Sequence, residues 1–373
     1  MAVHERLKYA RKHAGLSLSQ VKQRSQIGES SLCEFENGKR EPSLSQLQSL
    51  AGVYRRSIAF FLGEGPVAAL PTVLWRKRPE QKAGEIEARF LRLCEQYHNL
   101  EMWCGAKAPV SLPATTIRDS ASSYGYTDAE ELAKRILMEL QLGDRPAQCL
   151  LVVLEEVCGV KVFHMDFEPT GTAASVVSDV FGAAVLLNTK NARWRRNHDL
   201  AHELFHLLTW PIFHSNGEAT IVAGEFEEKL ATCFAANLLL PNDPFRTAIN
   251  ARTRKGKLAV ESIYDIAREF DVSVDSVLWR IHYLYGRGVN NADQTRRDIE
   301  KSKAMAPLLE GREDPKSPHP WPARYRALAL EAMRRGELAI GRFAEYLGIT
   351  RQEAMRFVEQ EIPDGEEVQI TSA

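Results

Sequence analysis

The hydrophobic positions of the first 65 residues repeat at helical spacing, in short segments separated by polar turns. This pattern predicts helices over residues 5–14, 18–25 and 29–37, and a further helix that begins after Ser43. Ser17 with Gln20 forms a capping-box pattern at the start of the second helix. A stretch rich in Gly, Pro and small residues, 63–71, then predicts a linker.

Beyond this linker the pattern changes from helix to strand and back to helix. Three short apolar runs, at 160–164, 173–178 and 183–187, predict strands. Helical periodicity surrounds them on both sides. It predicts helices near 80–104, 128–142, 146–158, 192–208 and 224–240, and a helical remainder with a Pro-rich break at 315–322.

Composition and charge narrow the class of protein. The 373 residues include 48 Lys+Arg and 49 Asp+Glu, for a net charge of −1, but residues 1–65 alone carry +4. No apolar run approaches the ~18 residues that a membrane helix needs. The six cysteines form no Cys-x-x-Cys pair, and the N-terminus has charges where a signal peptide would be apolar. We therefore expect a reduced, cytoplasmic protein with no membrane partner.

One helical segment carries a metal-binding pattern, His202-Glu203-Leu-Phe-His206. Because an α-helix has 3.6 residues per turn, the two histidines lie one turn apart on one face and can bind one ion. Glu203 lies about 100° around the helix, where its carboxylate can accept a proton from water. The spacing predicts a zinc site with a general base beside it.

A hydrolytic zinc site needs a third protein ligand, and the segment 224–241 offers candidates. On a helix, Glu228 would share a face with Ala231 and Ala235, whose small side chains would allow close approach to the metal helix. Glu227 would share its face with apolar residues, a pattern typical of a core. Helix geometry therefore favours Glu228 as the third ligand, with Glu227 as the alternative.

Other polar residues near these segments carry weaker indications. A hydrolase must stabilise negative charge on the carbonyl oxygen, and His164 and His214 could donate a hydrogen bond to it. For both, a packing role is the simpler expectation. Asp199 is expected at an exposed helix position.

Residues 16–42 resemble the Cro/CI-type (XRE) helix-turn-helix family, most specifically in Glu36-Asn-Gly-Lys-Arg-Glu-Pro42. The resemblance implies a five-helix, DNA-binding domain whose motif places its second helix in the major groove. Gln26 stands where that family usually has Gly. The residues that the resemblance implies face base edges are Glu29, Ser30, Ser31 and Glu34. Those that it implies face phosphates are Lys39 and Arg40, and Leu32 and Phe35 are expected in the core.

The two metal segments together resemble the ImmA/IrrE family of zinc metallo-endopeptidases, over roughly residues 66–285. Its pattern matches Ala201-His-Glu-Leu-Phe-His206 and Glu228-Lys-Leu-Ala-Thr-Cys-Phe-Ala-Ala-Asn-Leu-Leu-Leu-Pro241. The resemblance implies a zincin-like domain with a small β-sheet. The zinc ligands it implies are His202, His206 and Glu228, with Glu203 as the general base.

We therefore expect an α+β, mostly α protein with a helix-turn-helix domain (1–65), a metallopeptidase domain (66–290) and a C-terminal helical extension (291–373). The function implied is that of a Zn²⁺-dependent endopeptidase with a DNA-binding head. Its expected partners are double-stranded DNA and a protein substrate, a transcriptional repressor or similar regulator. The alternative is a non-proteolytic, antitoxin-like regulator whose metal site is structural or sensing.

Overall fold

The computed structural model describes residues 2–14, 16–54, 56, 58–63, 71–106, 110–113, 123–214, 222–285 and 318–361. Most of the predicted linker lies outside these residues. The expected domain boundaries near 65 and 290 also lie outside them, so the division into three domains stays a prediction.

The N-terminal segment folds as five helices around its own core. Val21, Leu32 and Phe35 lie at the centre of that core and are at most 1% exposed. The predicted capping box is present, since Ser17 and Gln20 exchange hydrogen bonds at the start of the second helix. The helices are α1 (Val3–His13), α2 (Leu18–Ser25), α3 (Glu29–Glu36), α4 (Leu44–Tyr54) and α5 (Ile58–Leu62).

The rest of the described chain is mostly helical around a small sheet. The strands are β1 (Leu74–Trp75), β2 (Lys161–Met165), β3 (Ala174–Ser178) and β4 (Gly182–Asn188). A short helical segment precedes β2: a 3₁₀ turn (Pro146–Gln148), α8 (Leu150–Val152) and a π turn (Val153–Val157). The other helices are α6 (Ala83–Trp103), α7 (Tyr126–Glu139), α9 (Arg193–Phe213), α10 (Glu225–Leu239), α11 (Asn242–Arg252), α12 (Val260–Glu269), α13 (Val274–Tyr285), α14 (Ala323–Arg334), α15 (Ile340–Leu347) and α16 (Arg351–Glu361).

The predicted mostly α architecture with a small sheet is confirmed. Two differences from the prediction concern strand β1 and the length of the helix that carries His202 and His206. β1 was not predicted, because two residues are too few to show an alternating pattern. The helix expected to end at 208 continues to Phe213, with Pro211 in its last turn.

The sheet is mixed and has the order β1-β3-β4-β2. β3 pairs antiparallel with β1 and β4, and β2 pairs parallel with β4. Because successive side chains point to opposite faces, the strands contribute to two separate cores. Val162 and Val185 belong to the core that contains α9 and α10, whereas Phe163 and Leu186 belong to the core that contains α6.

Helix α6 connects the sheet to the two ends of the chain. Its carboxylates pair with arginines of the N-terminal segment, since Glu85 lies 2.7 Å from Arg24 and Glu95 lies 2.5 Å from Arg56. On its other side the C-terminal helices complete the core. The ring of Tyr325 in α14 lies 5.3 Å from that of Tyr97 in α6 and 5.9 Å from that of Phe163 in β2.

The turn between α2 and α3 contains a left-handed residue, Gln26, with φ of 61°. A non-glycine residue in this conformation raises the free energy of the folded state by about 1–2 kcal/mol. Glycine would remove this cost, but its greater freedom in the unfolded chain would lower stability by about 0.5–1 kcal/mol. We expect Gln26→Gly to slow amide hydrogen exchange of α2 and α3 by roughly two- to fivefold, a gain of about 0.5–1 kcal/mol. The same substitution at exposed Gln23, inside α2, should accelerate exchange. Unchanged exchange in Gln26→Gly would contradict this account.

Candidate metal centre and helix-turn-helix surface

The two histidines of the metal motif lie side by side on the buried face of α9. Their ring centroids are 5.1 Å apart, and His202 and His206 are 0% and 1% exposed. The helical spacing of four residues brings the rings together, because residues i and i+4 share a face. Apolar neighbours on the same helix, such as Leu204 and Phe205, pack into the surrounding core.

Helix α10 brings a carboxylate to the same place. Ala231 and Ala235 are fully buried, and their small side chains let α10 pack closely against α9. One oxygen of Glu228 lies 3.1 Å from His202 Nε2, and the other lies 3.3 Å from His206 Nε2. The potential ligand atoms of these three residues all lie within 4.8 Å of one another.

Glu227 lies on the opposite side of His206. Its Oε1 is 2.8 Å from His206 Nδ1 and 2.9 Å from His214 Nε2. His206 Nδ1 thus faces Glu227, and its Nε2 is the nitrogen that faces Glu228. His206, His214 and Glu227 could also hold an ion, but only the Glu228 side brings both histidines of the motif together. The contact of Glu228 with both histidines supports Glu228 over Glu227 as the third ligand, which stays a prediction.

The charges of the site follow from burial and from these contacts. Burial lowers the pKa of His202 to about 3, although the hydrogen bond with Glu228 opposes it. Burial also lowers the pKa of His206, but its bonds to Glu227 and Glu228 outweigh this and raise the pKa to about 10. Burial raises the pKa of Glu228, yet the two histidines bring it down to about 2. Glu228 is thus a carboxylate and His202 a neutral imidazole, the forms that bind metals, whereas His206 must release a proton to bind one.

Glu203 lies beside the histidines and is 1% exposed. Burial raises its pKa to about 7, against the opposing effect of His206. Such a carboxyl group can exchange a proton with water near neutral pH. By hydrogen-bond geometry, neither of its oxygens has a partner among the described residues.

The donor set fits a zinc ion. Two imidazoles and one carboxylate are the ligands of several hydrolytic zinc sites. Polar atoms that are buried without a hydrogen-bond partner among the described residues gather around the site, and they include His202 Nδ1 and both oxygens of Glu203. Buried polar atoms are seldom left unpaired, so this cluster is the mark of a ligand site.

A second set of charges borders the site and was missed by sequence reasoning. Asp199, expected on the surface, is 1% exposed because it accepts hydrogen bonds from Asn191 (2.8 Å) and pairs with Arg195 (2.9 Å). Arg76, which follows β1, reaches both Asp199 (3.5 Å) and Glu228 (3.6 Å). No periodic pattern marks Arg76 in the sequence, because it follows a strand of only two residues.

A cleft of about 900 Å³ opens beside Glu228 and Arg76. It runs over the outer face of α10 towards α13, where Trp279 and Tyr283 are 56% and 60% exposed. Large exposed apolar side chains in a concave surface are typical of a binding site. The cleft therefore borders the candidate metal centre on the side of Glu228.

On α3, the side chains implied to face DNA lie where solvent can reach them. Glu29 and Ser30 are exposed, and Ser31 and Glu34 are half-buried. Lys39 and Arg40 are exposed in the turn that follows. Glu29 lies 3.8 Å from Lys22, so part of its negative charge is offset.

The sequence also matches two known domain families. Residues 155–282 match the peptidase family described as the IrrE N-terminal-like domain, and residues 7–61 match a helix-turn-helix family. The chain carries an IrrE N-terminal-like domain behind a helix-turn-helix domain. A search of curated proteins finds no match to the chain.

The match to the IrrE N-terminal-like domain begins just before β2 and ends within α13, so it contains the two histidines, Glu203 and Glu228. Arg76 and α6 precede the matched region. Within the described part of the chain, no helix combines the length and apolar character needed to cross a lipid bilayer.

Because Glu227 orients His206, we expect its charge to support metal binding. Glu227→Gln keeps an oxygen that can accept both imidazole N–H groups but removes the negative charge. The dissociation constant for Zn²⁺ should rise roughly 10- to 100-fold, as measured by competition with a chromophoric chelator. Glu261→Gln, an exposed position on α12, is the matched control. An unchanged Zn²⁺ affinity in Glu227→Gln would show that Glu227 does not act on the metal.

Proposed function

We propose that the protein is a zinc-dependent endopeptidase with a DNA-binding head, and that it cuts a transcriptional repressor or a similar regulatory protein in the cytoplasm. The observation that carries the proposal is the buried cluster of His202, His206 and Glu228 beside Glu203, inside an IrrE N-terminal-like domain. The cleft beside Glu228 is large enough to take a peptide segment.

In this proposal His202, His206 and Glu228 hold the ion. A zinc ion held there would lower the pKa of bound water to about 7 and polarise a peptide carbonyl. Glu203 accepts the proton of the attacking water and later delivers it to the leaving amine. A buried carboxyl group whose pKa is raised by burial suits both steps, since the group must change its protonation state twice in each cycle.

The helix-turn-helix domain supports the DNA-binding part of the proposal. Glu29, Ser30, Ser31 and Glu34 would face base edges, and Lys39 and Arg40 would contact phosphates. Ser and Glu side chains can hydrogen-bond to bases, whereas Lys and Arg neutralise backbone charge. A regulatory substrate follows from this arrangement, because the head would bring the peptidase close to proteins that act on the same DNA.

The role of Glu203 can be tested by a change that keeps its shape. Glu203→Gln should retain bound zinc and lower cleavage of a fluorogenic peptide library by at least about 100-fold, because a carboxamide cannot accept the proton. Zinc content and cleavage are measured in parallel, with Glu261→Gln as the control. Cleavage that persists in Glu203→Gln would rule out the mechanism. A wild type that binds zinc and cleaves neither peptides nor candidate repressors would favour the non-proteolytic regulator.

The head is tested through the salt dependence of DNA binding. Lys39→Ala should weaken binding to all duplex sequences by a similar factor and lower the slope of log K against log salt by about 0.9. Fluorescence anisotropy over a salt series measures both quantities. Lys134→Ala, exposed on α7, is the control. An unchanged slope in Lys39→Ala would mean that Lys39 does not contact phosphate.

A further inference from the structure

Peptide hydrolysis places negative charge on the carbonyl oxygen, and a preorganised donor for that charge contributes strongly to the rate. The two histidines considered from the sequence are engaged elsewhere. His214 contacts Glu227, behind His206. His164 lies within β2, where burial and the charge of Arg196 lower its pKa to about 4, so it is neutral. Neither lines the cleft that opens beside Glu228.

Arg76 is the cation that the cleft brings closest to the candidate ligands. Its Nε lies 3.6 Å from Glu228 Oε2, the oxygen that is 3.1 Å from His202 Nε2. Its side chain is 25% exposed and forms part of the cleft wall. A substrate carbonyl that enters the cleft and reaches the site therefore passes within reach of the guanidinium.

The other Lys and Arg side chains of the cleft wall are held by closer partners. Lys229 lies 2.7 Å from Glu225, on the exposed side of α10. Arg280 donates to the Leu240 carbonyl at 3.1 Å and to the Asn242 side chain at 2.7 Å. Both contacts of Arg76 are longer, at 3.5 and 3.6 Å, so a new acceptor can compete for its N–H groups.

The backbone of Arg76 is nevertheless fixed. Its N–H donates to Ala173 O at 3.3 Å, and the next residue, Lys77, bonds to the Thr172 side chain at 3.0 Å. The carboxylate of Asp199 on α9 lies 3.5 Å from the guanidinium, and Asp199 is itself buried and accepts a hydrogen bond from Asn191. A donor supported in this way loses little freedom when it binds a substrate oxygen.

We propose that Arg76 is a further catalytic residue, whose guanidinium stabilises the negative charge that develops on the carbonyl oxygen of the cleaved peptide bond. The proposal rests on the proposed endopeptidase function. As the water oxygen bonds to the carbonyl carbon, a water proton passes to Glu203 and the π electron pair moves to the carbonyl oxygen, which accepts hydrogen bonds from Arg76. When the C–N bond breaks, the pair re-forms the carbonyl and Glu203 returns the proton to the amine.

The test uses the full chain loaded with zinc and an N-phosphoryl dipeptide as the probe. The tetrahedral, anionic phosphoryl group of this probe has the shape and charge of the tetrahedral intermediate. Arg76→Ala should bind it about 10- to 100-fold more weakly than the wild type by calorimetry. Arg76→Lys, which keeps the charge, should recover part of the loss. Zn²⁺ affinity, measured by chelator competition, should stay within about threefold of the wild-type value because Arg76 is not a ligand.

Arg78→Ala is the matched control, because Arg78 pairs with Glu87 at 2.9 Å, and it should bind the probe as the wild type does. Equal probe binding by the wild type and Arg76→Ala would overturn the proposal. So would a large loss of Zn²⁺ affinity in Arg76→Ala, since Arg76 would then act by positioning Glu228. A zinc-loaded wild type that does not bind the probe would overturn the endopeptidase function and this proposal with it.

Discussion

The close packing of α10 against α9 is the contact on which the site depends. Ala231 and Ala235 are fully buried and share a face of α10 with Glu228, so a larger side chain at either position would disturb the packing around that face. The position of Glu228 relative to His202 and His206 is set by that packing. The geometry of the candidate ligands therefore depends on the packing of α10 as well as on the ligands themselves.

The part of the site that lies along single helices could be predicted from the sequence. The spacing of His202 and His206, and the step of one residue to Glu203, are local properties of helix geometry. Glu227 and Glu228 were harder to separate, because adjacent residues differ by only about 100° around a helix. Their placement on opposite sides of His206 depends on where α9 lies, and one helix's own periodicity does not contain that information.

The charged border of the site could not be predicted. Arg76 meets Asp199 across a sequence separation of 123 residues, because β1 pairs with β3 and α9 packs against β3. Asp199 was expected in solvent, because a single Asp in a helix usually faces water. It is buried instead, because Asn191 donates a hydrogen bond to its carboxylate and Arg195, one turn earlier on α9, forms an ion pair with it. Tertiary contacts of this kind leave no periodic trace.

The C-terminal helices pack against the sheet and belong to its core. Tyr325 packs edge-on against both Tyr97 and Phe163, and Phe163 belongs to the strand that pairs with β4, next to α9. A chain that stopped before residue 318 would leave these aromatic rings facing water on one side of the sheet. The C-terminal helices are thus part of the core that covers this face of the sheet, and their removal would expose that core to solvent.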